Sequence, residues 1–351
     1  MLFRQLFDPR SSTFTYLLAD EESRVAVMID PVFEQAARDA ALLRELGLDL
    51  RYTLETHVHA DHVTGAARLR EALGSRIGVS AEGAAEGADV ALRDGDEVEF
   101  GRHALRVLAT PGHTNGCLSF VTQAMDHVFT GDALLIRGAG RTDFQQGDAR
   151  RLYRSVHEQL FTLPDACFVH PGHDYAGRTV STIGEERAFN PRLGDTRSED
   201  DFVGYMVNLG LPHPNQIDVA VPANMQCGRP KGGIPPLGCD WSPGLRSFAG
   251  VLEVSPMWLV EQLGEVAVID VRDAVEWCGE LGHIAGAHSI PLAELLDSLD
   301  QIPRDRPVVA VCRSGGRSAQ ASILLEKAGF ARTANLAGGM LAWGGLNLPV
   351  G

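Results

Sequence analysis

At 351 residues the chain is long enough for two ordinary domains, and 44% apolar with 22% charged residues is the composition of a globular protein with a full core. The net charge of −15 speaks against nucleic acid or an anionic membrane as a partner, so any anionic ligand must be held by local arginines or backbone N–H groups. No stretch approaches the ~20 apolar residues that span a bilayer, and the start, Met1 to Asp8, is too short and polar for a signal peptide. The six cysteines (117, 167, 227, 239, 278 and 312) contain no CxxC pair and resemble neither a disulfide framework nor a structural zinc site. A reducing cytoplasm is the expected location.

Val25 to Ile29 is an apolar run that predicts a strand ending at Asp30-Pro31. Phe33 to Leu46 spaces Ala and Leu as a helix does and stops at Gly47. Tyr52 to Glu55 predicts a strand running into His57, and Asp94 to Gly101 reads as part of a hairpin. Arg106 to Ala109 runs into Pro111-Gly112-His113, Asp126 to Thr130 into Gly131-Asp132, and Cys167 to His170 into Pro171-Gly172-His173, with a helix predicted over Arg150 to Leu160. Polar chemistry thus recurs just beyond strand ends, where a rigid frame can deliver it to one cleft. From about Asn190 to Ser247 the pattern breaks, and Cys227 to Gly238 is dense in Gly and Pro. The expected organisation is a domain over 1–190, a linker over 191–248 and a second domain over 249–351. In the last, Ala267 to Asp270 and Val308 to Cys312 predict strands, and Ser318 to Ala328 a helix closing at Gly329.

Thr56-His57-Val58-His59-Ala60-Asp61-His62 packs three imidazoles and a carboxylate into the six residues from His57 to His62, and His113, Asp132 and His173 follow in three further loops. Neutral imidazole and carboxylate suit zinc, iron and manganese, so four such loops in order point to a metal site. The order resembles the metallo-β-lactamase superfamily over about residues 10–190, which implies an αββα sandwich with the metal at one sheet edge. It leaves the reaction open between zinc hydrolases such as glyoxalase II and iron dioxygenases. The segments Ala133 to Gly147 and Asp174 to Arg192 resemble the persulfide dioxygenase branch. That resemblance implies one Fe(II) per chain on His57, His113 and Asp132, a two-histidine, one-carboxylate facial triad with positions left for substrate and O₂. It gives His59, Asp61, His62 and His173 supporting roles, sets Tyr175 and Arg192 toward a glutathione persulfide, and favours a homodimer. Arg141 and Asp143 are expected to form a structural ion pair, and Cys117 to be a buried core thiol.

Cys312-Arg-Ser-Gly-Gly-Arg-Ser318 lies between a predicted strand and a predicted helix. Such a loop cradles anions, and a cysteine at its base is expected to be a thiolate nucleophile. Arg313 and Arg317 add positive charge. With Ile269 to Arg272, Gly282 to Pro291 and Leu336 to Trp343, the loop resembles the rhodanese domain over about residues 250–349. The six residues from Cys312 to Arg317 match the loop length of the sulfurtransferases, whereas the related phosphatases use one more. The resemblance implies sulfur transfer from thiosulfate or a persulfide to a thiol such as glutathione by way of a Cys312 persulfide. Asp270 and Arg272 are expected to brace the fold, and Cys278 to be structural. Glutathione persulfide is the species that could join the two sites. The alternatives from other classes are a zinc thioesterase for glutathione conjugates in the first half and a non-catalytic persulfide-binding module in the second.

Overall fold

Every residue of the strand segments Thr13–Ala19 and Val25–Ile29 is buried, which requires cover on both faces of the sheet they occupy. The computed structural model describes residues 1–351 apart from 84, 213, 215, 230, 231, 236 and 238. It divides into two compact units, Met1–Pro235 and Pro236–Gly351.

In the first unit, β1 (Leu2–Asp8), β2 (Thr13–Ala19), β3 (Val25–Ile29), β4 (Asp49–Leu54), β5 (Arg76–Ser80) and β6 (Val90–Leu92) form a sheet in that order. β1, β2 and β3 pair antiparallel, and β3 to β6 pair parallel. The parallel crossovers carry α1 (Ala36–Glu45) and α2 (Ala66–Leu73), as parallel neighbours demand. The second sheet holds β7 (Glu97–Phe100), β8 (His103–Ala109), β9 (Leu118–Thr122), β10 (His127–Gly131), β11 (Phe168–Pro171) and β12 (Ser181–Thr182), in the spatial order β12-β11-β10-β9-β8-β7. Only its β10–β11 pair is parallel, and α3 (Ala149–Ser155), prolonged by a π turn over Val156–Leu160, makes that crossover. Tyr16, Leu18, Val27 and Ile29 meet Phe100, Leu105, Phe120 and Phe129 between the sheets. Each such side chain contributes about 1.5–3 kcal/mol by burial. Leu152, Val156 and Leu160 cover the outer face of the second sheet over Val121 and Val128. These layers are the αββα sandwich expected from the sequence.

The stretch read as an irregular linker differs from that expectation. After α4 (Ile183–Phe189) it carries α5 (Glu199–Val207) and α6 (Ile217–Asn224). α5 starts at a Ser198/Asp201 capping box and buries Phe202 and Met206 in the same core as α3. Capping and two apolar anchors hold a helix where overall composition suggested none. Within the Gly/Pro-dense run, Pro230, Lys231, Pro236 and Gly238 lie outside the described residues.

The second unit holds β13 (Leu245–Arg246), β14 (Leu252–Val254), β15 (Ala267–Asp270), β16 (His288–Ser289), β17 (Val308–Val311) and β18 (Thr333–Leu336), in the spatial order β13-β14-β18-β17-β15-β16. It is parallel except at β13–β14. β15, β17 and β18 are buried throughout. One face packs on α7 (Pro256–Glu261) and the other on α9 (Gly316–Lys327), with α8 (Ala274–Trp277) between them in sequence and α10 (Gly339–Gly345) at the end burying Trp343. Among the described residues, no helix is long and apolar enough to cross a membrane.

Candidate metal centre and sulfur-transfer loop

β4, β8, β10 and β11 end just before the four loops marked by the sequence, and the fold brings those loops together. Ligand atoms of His57, His113 and Asp132 all lie within 4.8 Å of one another, and all three residues are buried. Their hydrogen bonds select which ring nitrogens face inward. His113 Nδ1 stands 2.6 Å from the Arg141 carbonyl oxygen; an oxygen of that kind only accepts, so Nδ1 carries the proton and Nε2 is left with its lone pair. Thr56 Oγ1 donates to Asp30 Oδ2 at 2.7 Å and lies 3.0 Å from His57 Nδ1. Its one proton being committed, His57 Nδ1 donates to it, and again Nε2 is free. Burial pushes both imidazoles toward the neutral form. Burial would raise Asp132, but the charge of His173 and a 2.7 Å hydrogen bond from its Nδ1 hold the carboxyl below the usual range. Two neutral imidazoles and one carboxylate are a fitting donor set for a divalent transition metal. Gly131, at φ +49°, permits the approach, since a Cβ there would stand 2.5 Å from Thr56 Oγ1.

Ligand atoms of His59, Asp61, His62 and His173 form a second set within 4.8 Å. Asp61 Oδ2 takes His62 Nδ1 at 2.9 Å, His173 Nε2 at 3.0 Å and the Thr13 hydroxyl at 3.2 Å. This set is bonded to itself, and His173 ties it to Asp132. The His59 ring leans instead toward Asp30 (3.2 Å) and Glu55 (3.6 Å).

A cleft of about 130 Å³ opens over the first set, lined among others by Arg141, Phe144, Tyr175 and Leu211. Tyr175 is 75% exposed and lies parallel to the His173 ring at 6.1 Å. Arg192 is absent from the lining. It donates to the Ala139 carbonyl behind the cleft wall (3.3 Å) and sits 4.6 Å over the Tyr205 ring. Arg141 pairs with Asp143 at 2.6–2.7 Å, as expected, and also donates to the carbonyls of Leu211 and Pro212 at the cleft mouth. Cys117 is buried, and burial pushes its thiol up to about 12. The sequence reading missed Thr13, the role of Asp30, and Asn224. Asp30 was findable, since it too stands at a strand end; Thr13 and Asn224 carry no local signal.

In the second unit, Cys312 follows β17 and its sulfur sits under the N-terminus of the twelve-residue α9. Gly315 N–H and the Ser318 hydroxyl each donate to Sγ at 3.2 Å. Burial alone would raise the thiol, but the Ser318 hydroxyl and the backbone N–H groups of Ser318, Ser314 and Gly315 outweigh it and hold Cys312 below an ordinary thiol. Arg313 is exposed. The Arg317 guanidinium is engaged by both Glu276 oxygens, at 2.6 and 2.8 Å, a partner on α8 that the sequence did not indicate. Asp270 and Arg272 form a fully buried pair at 2.6 Å, and Arg272 also donates to the carbonyls of Glu276 and Gly282. Cys278, expected to be structural, is exposed at the end of α8.

Residues 8–173 match the model of the metallo-beta-lactamase superfamily, and residues 255–346 that of the rhodanese-like domain. The persulfide dioxygenase ETHE1, mitochondrial, of Homo sapiens is 58% identical over 228 residues, which cover 65% of this chain and 89% of the human protein. The crystal structure of ETHE1 from Myxococcus xanthus superposes with a TM-score of 0.63 at 53% identity, over 65% of this chain and all of that one (100%). A metallo-beta-lactamase from Staphylococcus aureus reaches a TM-score of 0.61 over 96% of this chain and 98% of its own, at 22% identity, and speaks for the fold alone.

Proposed function

This chain belongs to the persulfide dioxygenase family of the metallo-beta-lactamase superfamily and ends in a rhodanese-like domain, and we propose that it oxidises glutathione persulfide with O₂ at one Fe(II) and moves sulfane sulfur through Cys312. The observation that carries the first half is the convergence of His57 Nε2, His113 Nε2 and an Asp132 oxygen, with Tyr175 and Arg141 on the cleft above them. That triad would hold ferrous iron, which would supply the redox chemistry at the floor of the cleft.

The protein's own part is orientation. Thr56 and the Arg141 carbonyl aim the two imidazoles, and His173 aims the carboxylate. A wider cleft of about 790 Å³ outside, lined by Arg10, Arg141 and Tyr175 among others, has room for a tripeptide thiol. We assign Tyr175 to the substrate directly, and Arg192 to it through the Ala139 wall. The balance is one persulfide, one O₂ and one water giving the thiol, sulfite and two protons.

At Cys312, thiolate attack on the outer sulfur of thiosulfate releases sulfite and leaves a Cys312 persulfide. Glutathione then takes the outer sulfur as glutathione persulfide and restores the thiolate. The loop N–H groups and Arg313 receive the incoming anion, while Arg317 stands beside them shared with Glu276. The same chemistry run backward consumes sulfite. Six unpaired cysteines fit a reducing compartment, which we take to be the cytoplasm, and a homodimer is the state we assign, to be checked by light scattering.

Oxygen uptake by Fe(II)-loaded chain with glutathione persulfide is the test. The expected result is uptake matched by sulfite, with about one iron per chain. A paired zinc centre with no oxygen uptake would remove the reading.

A further inference from the structure

Asn224, the last residue of α6, reaches the metal-binding loop from 160 residues away. Its side chain is buried, donates through Nδ2 to the carbonyls of His59 (2.9 Å) and His62 (2.8 Å), and accepts the Thr64 N–H at Oδ1 (2.9 Å). These three backbone groups span the turn that bears Asp61 and His62 and continues the chain from His57. Two carbonyls and one N–H call for two donors and one acceptor, which a primary amide provides and a carboxylate or a hydroxyl does not.

The rest of the tail is seated to match. The Met225 carbonyl accepts the Glu86 N–H at 2.7 Å, and the Cys227 carbonyl the Ala67 N–H at 3.2 Å. Gly228, at φ +81°, passes so near Thr64 that a Cβ would stand 2.2 Å from the Thr64 oxygen. On its inner side the loop faces a small cavity of about 20 Å³, lined among others by Glu55, His57, Thr64 and Asn224.

We infer that Asn224 is a positioning residue for the metal site, holding the His59–Thr64 turn so that His57 presents Nε2 to the ion and Asp61, His62 and His173 stay bonded to one another. The inference rests on the metal reading above. It also gives α6 a defined task, which is to close the back of the metal loop.

The test uses the full-length chain, stripped of metal and titrated anaerobically with Co(II), whose visible bands report ligand geometry. Asn224→Asp keeps the size and the acceptor and removes both donors. Its cobalt affinity is expected to fall about 10- to 100-fold, the usual cost of losing a group that orients a ligand, with shifted bands, in a chain that still melts cooperatively without metal, at a lower temperature because two buried carbonyls lose their donors. Asn224→Ser, neutral and smaller, is the second variant and is expected to fall in between. Wild-type affinity and spectrum in a folded Asn224→Asp would overturn the inference. So would cobalt loss only in variants whose metal-free melting temperature has collapsed. A wild-type chain that takes up no cobalt would instead overturn the metal reading beneath it.

Discussion

The two candidate sites are assembled in opposite ways. The proposed metal donors come from the loops after β4, β8 and β10, with His173 after β11 bonded to Asp132, and Asp30, Thr13 and Asn224 support these loops from three further places in the chain. The Cys312 loop is one run of residues, 312 to 317, folded over the start of a single helix. A site gathered from distant segments depends on the whole sandwich being right. A site written in one loop depends on a strand end, a helix start and a few N–H groups.

Replacement of the reactive atom in the continuous site tests the comparison most severely. Cys312→Ser is expected to lose sulfite release from thiosulfate and glutathione by at least about 10³-fold, while oxygen uptake with added glutathione persulfide stays at the wild-type level. Loss of both activities in a folded variant would break the idea of separate centres. The mirror experiment is His113→Ala. Metal content by elemental analysis and oxygen uptake are each expected to fall by about 100-fold or more, with sulfur transfer unchanged.

The third prediction concerns protons. Hydrogen bonds to Sγ favour the thiolate, so the Cys312 thiol lies below its ordinary value, and sulfur transfer should rise with pH and flatten once that lowered value is passed. Ser318→Ala removes the hydroxyl donor at 3.2 Å, so the rising limb is expected to move to higher pH. The pH dependence of iodoacetamide alkylation reads this directly; an unmoved profile would assign the lowering to the backbone alone.

The smallest expected effect is that of Glu276→Gln, which leaves Arg317 with its full charge toward the loop. A partly exposed ion pair of this kind is worth about 0.2–1 kcal/mol, so KM for thiosulfate is expected to fall by no more than about fivefold. An unchanged KM would mean that Arg317 does not face the donor anion.

The same contrast explains what could be read in advance. The strands ending at Ile29, Leu54, Ala109 and Val311 were legible because apolar runs stop abruptly at Pro, Gly or a polar residue. The clustering of His57, His113 and Asp132 was legible because each stands just beyond such an end. The Cys312 loop was legible because it is contiguous. Asn224 was not, since its partners are main-chain atoms remote in sequence and its helix lies in a stretch whose Gly and Pro content suggests a linker. Glu276 sits on a four-residue helix too brief to leave a periodicity. Arg192 was placed toward substrate by resemblance, whereas its hydrogen bond goes to the wall behind the cleft.

Arg141 is fastened at both ends of its length. Its carbonyl aims the His113 ring, and its guanidinium grips the chain at Leu211 and Pro212 on the rim. The cleft's doorway and the His113 ring are therefore moored to a single residue, the rim through its guanidinium and the imidazole through its carbonyl.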